Sequence, residues 1–316
     1  MNAIGGYFEL ELREGEHYHK NALRLNTARN CFEYILRAKH YTHVYIPYYT
    51  CEVMLEPLRK LNVNYTFYSI SNSLVPVDCP LLKQGEAFLY TNYFGIKQSD
   101  VIRLADLYGN QLIVDNSQAF FSPVISGIDT FYSPRKFFGV PDGAYLYSDK
   151  ILKEELKTDV SYERMSHLLK RIDLNAEDAY SDFKLNDEAL NEQPVLKMAK
   201  MTQRLLQSID YQMIIEKRQY NFEYLHSVLQ QANKLDININ NEMVPMVYPY
   251  FVENGEELKK KLIAKNIYTA TYWPNVFNWV QKESNEYLFA NQLLSLPIDQ
   301  RYEKKDMEYI LNILKK

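Results

Sequence analysis

Glycine is scarce. The chain has ten glycines in 316 residues, less than half the usual share of roughly 7%. So few glycines leave little room for a glycine-rich phosphate loop, and a bound phosphate would need another anchor. Cysteine is also sparse. Cys31, Cys51 and Cys79 follow no metal-binding spacing, and a chain this long needs no disulfide staples. They read as reduced thiols in a cytoplasmic protein. No apolar run reaches the length of a membrane-spanning helix. The segment Met1–Leu12 carries Glu9 and Glu11 and no cationic run before an apolar core, unlike a signal peptide. A basic excess is missing too: 36 Lys and Arg face 40 Asp and Glu, for a net charge of −4. That argues against nucleic acid as a partner. The six histidines are dispersed, with His17 and His19 the closest pair, and no metal site is expected.

What is present is an ordinary globular composition, 47% hydrophobic and 24% charged, with 27 tyrosines. From Leu23 to Lys150, short apolar runs alternate with helical patterns. The candidate strands are Val44–Pro47, Tyr65–Tyr68, Phe88–Thr91, Leu112–Val114, Thr130–Ser133 and Ala144–Tyr147. Most lack alternation, as strands buried on both faces do. The helix candidates between them are Thr27–Ala38, Cys51–Lys60 and Gln98–Tyr108. This order predicts βαβ units and a mainly parallel sheet. Residues 150–232 read as polar helix, with an apolar stripe through Leu205, Ile209 and Met213, then Leu225, Val228 and Leu229. Beyond them, strands are expected over Met243–Val252 and Ile267–Tyr272, and helices over Gly255–Lys265 and Lys304–Leu314. The expected organisation is a large α/β domain over residues 1–205. A linking helix and a small C-terminal α/β domain follow over 206–316.

Ligands of an open α/β sheet lie beyond the carboxyl ends of its strands, so polar residues just past each strand are the first candidates. Leu112–Val114 delivers Asp115, then Gln118; as a bare pattern this also fits an acid capping a turn. Thr130–Ser133 delivers Ser133 and then Lys136, followed by Phe137 and Phe138. Lys136 is either a surface lysine that snorkels or a partly desolvated amine with a lowered pKa, able to form a Schiff base. Asn26 or Thr27 caps the helix that follows, whose first N–H groups lack intrahelical partners and carry the positive end of the dipole. They suit a phosphate without any glycine. A helix start, an acid and a lysine are what a cofactor with a phosphate, a pyridine nitrogen and an aldehyde requires.

In this order the motifs resemble the DegT/DnrJ/EryC1/StrS family of sugar aminotransferases. The matching stretches are Leu25-Asn26-Thr27-Ala28, Ile46-Pro47-Tyr48-Tyr49-Thr50-Cys51, Asn92-Tyr93-Phe94-Gly95, Asp115-Asn116-Ser117-Gln118, and Lys136 with Asp142-Gly143-Ala144. The resemblance implies a three-layer α/β/α large domain of PLP-dependent transferase fold type I, with a small C-terminal α/β domain. It implies pyridoxal 5′-phosphate as cofactor, held covalently by Lys136, which also moves the proton. Asp115 would pair with the ring nitrogen and Gln118 would lie near the phenolic oxygen. Thr27 and Ala28 would hold the phosphate through N–H groups and Ser133 through its hydroxyl. The substrates implied are an amino-acid donor, glutamate, and a nucleotide-linked keto-sugar acceptor serving a surface polysaccharide or glycoconjugate. The implied state is a homodimer.

Several departures accompany the match. The family's ring-stacking aromatic falls at Cys51, which leaves Tyr49 or another tyrosine to cover the ring. The family's phosphate serine falls at Phe131. The partner-subunit motif Asn-x-Arg-Met appears as Tyr162-Glu163-Arg164-Met165. A dehydratase branch of the family has histidine where this chain has Lys136. Two other functions remain open on the sequence: a PLP-dependent transferase or lyase acting on a small amino acid, and a non-catalytic sugar-binding or regulatory descendant.

Overall fold

The computed structural model describes residues 4–315. Nine strands and ten α-helices are described. The first part of the chain runs β1 (Leu23–Leu25), α1 (Ala28–Lys39), β2 (His43–Pro47), α2 (Leu55–Lys60), β3 (Asn64–Tyr68) and β4 (Glu86–Thr91). It continues through α3 (Gln98–Tyr108), β5 (Leu112–Asn116), β6 (Asp129–Tyr132) and β7 (Ala144–Tyr147). These strands form one seven-stranded sheet in the order β1-β7-β6-β5-β4-β2-β3. From β3 to β6 the pairing is parallel; β7 and β1 add antiparallel. All six predicted strands of this region are present within a few residues. β1 was not predicted, because three residues hold too little pattern.

The sheet is packed on both faces, as its uninterrupted apolar strands require. One face meets α1 and α2: Ala87, Leu89, Ile113, Phe131 and Leu146 pack with Cys31, Phe32, Ile35 and Leu58. The other face carries Phe88, Tyr90, Val114, Tyr132 and Tyr145, packed with Leu104 of α3. Successive residues of each strand serve opposite faces, and this alternation decides which side chains reach the site. The tyrosine excess is spent largely here. Tyr68, Tyr90 and Tyr93 are buried with one satisfied hydroxyl each, as aromatic residues with a polar tip usually are.

The rest of the chain is α4 (Ser166–Asp173), α5 (Tyr180–Ala189), α6 (Lys200–Gln207), α7 (Tyr211–Leu229), β8 (Tyr248–Phe251), α8 (Gly255–Ile263), α9 (Asn285–Gln292), β9 (Leu293–Leu296) and α10 (Lys304–Leu314). β8 and β9 form a second, antiparallel sheet. The apolar core runs without a break from the large sheet through Phe222 and Leu225 of α7 to Tyr248 and Leu294.

Four expectations need correction. The stripe Leu205, Ile209, Met213 does not lie on one helix, because Asp210 caps a new one at its Met213 N–H. Met213 and Val228 are exposed, and Leu206 and Ile214 are buried in their place. The strand expected over Met243–Val252 is confined to Tyr248–Phe251. Ile267–Tyr272 is not a strand; it makes only a bridge from Ala270 to Ser295. The true partner of β8 is β9, hidden in the sequence because it follows α9 without a turn signal. The helix expected from Cys51 begins as a 3-10 turn over Glu52–Met54 and becomes α-helical at Leu55.

Candidate active site

Three apolar columns on the α1 side of the sheet end in polar residues. On β4 the column Ala87, Leu89 ends in Thr91; on β5 Ile113 ends in Asp115; past β6 Phe131 ends in Ser133. Thr91 and Asp115 are register partners on neighbouring parallel strands. These ends open into one cleft of about 130 Å³, roofed by the start of α1. It is lined by Thr27, Ala28, Asp115, Gln118, Ser133 and Lys136, all six residues singled out from the sequence. Thr50, Cys51, Thr91, Arg135, Tyr272 and Trp273 complete much of its wall.

Thr27 is the N-cap of α1, in extended conformation, and its hydroxyl oxygen accepts from the Asn30 N–H at 3.2 Å. The hydroxyl is therefore committed to the helix, and the next N–H groups, of Ala28 and Arg29, have no intrahelical partner. Asn26, where the resembled family has glycine, is fully buried and clasps a distant segment. Its side chain donates to the Pro194 carbonyl at 3.0 Å and accepts from the Leu196 N–H at 3.2 Å. The asparagine ties the phosphate-suited helix start to the chain before α6.

Asp115 is buried, and its Oδ1 accepts from the Ser117 N–H at 2.8 Å. Burial pushes its carboxyl up; Ser117 and the Lys136 charge pull the other way. A desolvated carboxylate of this kind gains most from a cationic N–H partner. Behind it, burial and the Asp115 charge raise the Cys31 thiol well above its ordinary range. Gln118 is fixed by the Phe94 N–H, which donates to its Oε1 at 2.9 Å, leaving its amide N–H groups for the cleft.

Lys136 ends a 3-10 turn, Pro134–Lys136, directly after Ser133. It is exposed, so of its two readings the surface lysine is the one this chain shows by itself. Arg135 beside it bonds Asp187 of α5 at 2.7 Å. Burial would raise the Asp187 carboxyl, yet Arg135, Lys136 and Arg29 hold it below its usual range. Three cations thus face one acid at the cleft mouth. Asp142 is fully buried and bonds Arg164 and Thr202, each at 2.5 Å. Arg164, the arginine of the altered partner motif, therefore serves its own chain. Gly143 stands at φ +104°, where an added Cβ would lie 2.9 Å from Thr202 Cγ2. No other residue fits that turn without strain.

The aromatic wall differs from expectation. Tyr49 does not line the cleft; it is buried behind it, edge-on to Trp273 at 4.6 Å. Tyr272, the last residue of the expected strand, and Trp273, just beyond it, form the wall instead. Trp273 has left-handed backbone, φ 62°. Its neighbour Pro274 was the only sequence sign of a turn there. His17 and His19 are both engaged within the protein. His17 Nδ1 bonds the Tyr145 hydroxyl at 2.7 Å, and His19 Nε2 donates to the Phe120 carbonyl at 2.8 Å. Among the described residues no three His, Cys, Asp or Glu side chains cluster as metal ligands. No described helix is long and apolar enough to cross a membrane.

No known family profile matches the sequence, and no curated protein does. Solved structures do match. A DegT DnrJ EryC1 StrS aminotransferase from Brucella abortus superposes with TM-score 0.61 at 11% identity, over 93% of this chain and 85% of that one. DesV of S. venezuelae, solved with a ketimine intermediate, gives 0.61 at 17%, over 93% and 84%. E. coli GDP-4-keto-6-deoxy-D-mannose-3-dehydratase with bound hydrated PLP gives 0.63 at 13%, over 93% and 87%. The chain has the fold of these enzymes. At such identities the likeness speaks for the fold, and the chemistry must be argued from the cleft.

Proposed function

We propose that the protein is a pyridoxal-phosphate-dependent aminotransferase that moves an amino group from an amino acid, glutamate, to a nucleotide-linked keto-sugar. The observation that carries this reading is the convergence of Thr27, Ala28, Asp115, Gln118, Ser133 and Lys136 on one cleft, from three separate stretches of chain. Each meets a different part of the cofactor. The free N–H groups at the start of α1 and the Ser133 hydroxyl suit its phosphate. The buried Asp115 carboxylate suits a protonated ring nitrogen, and the Gln118 amide suits the phenolic oxygen. The buried Thr91 hydroxyl has no partner in the protein, as expected of a wall built to meet a ligand. The cofactor supplies an electron sink for a carbanion. Lys136 supplies the amine that would fix it and the base that would move the α proton, its charge acting on both Asp115 and Asp187. Trp273 and Tyr272 offer apolar faces suited to a sugar ring, and the arginines at the mouth suit an anionic substrate.

The reading extends to a homodimer in the cytoplasm, serving a surface polysaccharide or glycoconjugate. A groove lined by Tyr162, Leu169 and Leu174, beside the exposed Ile172 of α4, supports a second copy. Apolar side chains gathered in this way mark interaction sites. The unpaired cysteines support a reducing compartment. The test is conversion of glutamate to 2-oxoglutarate with a panel of nucleotide-linked keto-sugars. Turnover with at least one acceptor, abolished in Lys136→Ala, is the expected result. A purified protein that binds no pyridoxal phosphate would end the proposal.

A further inference from the structure

Thr91 ends its apolar column as Asp115 and Ser133 end theirs, yet it matches no motif of the resembled family. It is fully buried, and its Oγ1 has no hydrogen-bond partner in the protein. A buried hydroxyl left unpaired is destabilising unless something else bonds it. Its neighbours do not. Asn92 turns to Gln98, Ser122 and the Lys97 N–H, and Asp115 Oδ1 takes the Ser117 N–H. Thr91 is the register partner of Asp115 and lines the same cleft. Register partners on parallel strands project to the same face of the sheet, so the hydroxyl lies one strand from the carboxylate, on the side away from Lys136.

We propose that Thr91 is a further binding residue of the cleft, its hydroxyl meeting the ring of the cofactor on the Asp115 side. The proposal rests on the pyridoxal-phosphate reading and adds a contact which that reading does not contain. It explains why a strand that is otherwise apolar at this end finishes in threonine. It also separates two kinds of stability. In the protein without cofactor the hydroxyl is a net cost or at best neutral, because nothing bonds it; with cofactor it contributes one hydrogen bond.

The experiment titrates pyridoxal phosphate into cofactor-free wild type, Thr91→Val and Thr91→Ser. Binding is followed by the fluorescence of Trp273 and Trp279, and the melting temperature of each cofactor-free protein is measured alongside. Valine keeps the shape of threonine and serine keeps its hydroxyl. The expected result is roughly tenfold weaker binding by Thr91→Val, about one hydrogen bond. Its cofactor-free melting temperature should be unchanged or raised, and Thr91→Ser should bind like wild type. Equal affinity of wild type and Thr91→Val would overturn the proposal. So would a Thr91→Val protein whose only defect is a lower melting temperature, since the hydroxyl would then be structural. Failure of the wild type itself to bind pyridoxal phosphate would instead strike the underlying reading.

Discussion

At the residue scale, the site depends on side chains whose ordinary partners have been removed or replaced. Asn26 stands where the resembled family has glycine, and it is retained by two hydrogen bonds to the 194–196 segment. Thr27 spends its hydroxyl on capping and leaves backbone N–H groups for a ligand. The N-terminal segment is pinned in a similar residue-by-residue way. His19 is buried between Phe120 and Tyr147, and burial lowers its pKa from about 6.5 to about 4. Its ring is therefore neutral in the fold. The stability tied to that neutrality is complete above about pH 6.5 and is lost as pH falls toward 4, because the unfolded chain takes up the proton first. His19→Gln, which keeps a donor for the Phe120 carbonyl, should flatten the fall of melting temperature between pH 7 and pH 5. Wild-type and variant curves that stay parallel over this range would contradict the assignment.

At the scale of elements, the turn after Lys136 decides whether the cleft keeps its shape. Asp142, Gly143 and Arg164 build it together. Gly143→Ala forces a side chain into a backbone conformation that disfavours it and against Thr202. It should lose about 2 kcal/mol of unfolding free energy, read by chemical denaturation; a loss under about 0.5 kcal/mol would mean the turn relaxes freely. Arg164→Met leaves the buried Asp142 carboxylate without its cation, with the Thr202 hydroxyl still bonded to it, and should lose about 3 kcal/mol. Adding Asp142→Asn should recover much of it, and no recovery would place the role of Arg164 at Asp159, which it also bonds at 2.5 Å. The legibility of the elements follows the same physics. Strands β2 to β7 and the ends of α3 and α10 were readable because buried apolar runs and long amphipathic periods are local signals. The break at Ser208–Asp210 was not, since the apolar residues on either side happen to keep a four-residue spacing. β9 was not, because α9 passes into it directly. The six site residues were readable since polar residues after apolar strands stand out one by one. Thr91 ends the apolar run Phe88-Leu89-Tyr90 in the same way, but belongs to no motif of the resembled family. The roles of Tyr272 and Trp273 depend on long-range packing against Tyr49 and Tyr93, which no local pattern carries.

At the scale of the whole molecule, the core that joins the large sheet to the C-terminal sheet through α7 sets Trp273 against the strand ends. The cleft thus has walls from both ends of the chain. The exposed groove along α4 predicts self-association. Sedimentation should give a dimer, and Leu169→Glu should shift it toward monomer without lowering the melting temperature of the monomer. A wild-type protein that sediments as a monomer at micromolar concentration would contradict this. The central claim is that the cleft holds pyridoxal phosphate through Lys136. The most direct measurement is peptide mass mapping after borohydride reduction of the protein incubated with pyridoxal phosphate. The account predicts one dominant pyridoxyl-phosphate adduct, on Lys136, missing from Lys136→Ala. An adduct spread evenly over surface lysines, or undiminished in Lys136→Ala, would contradict it.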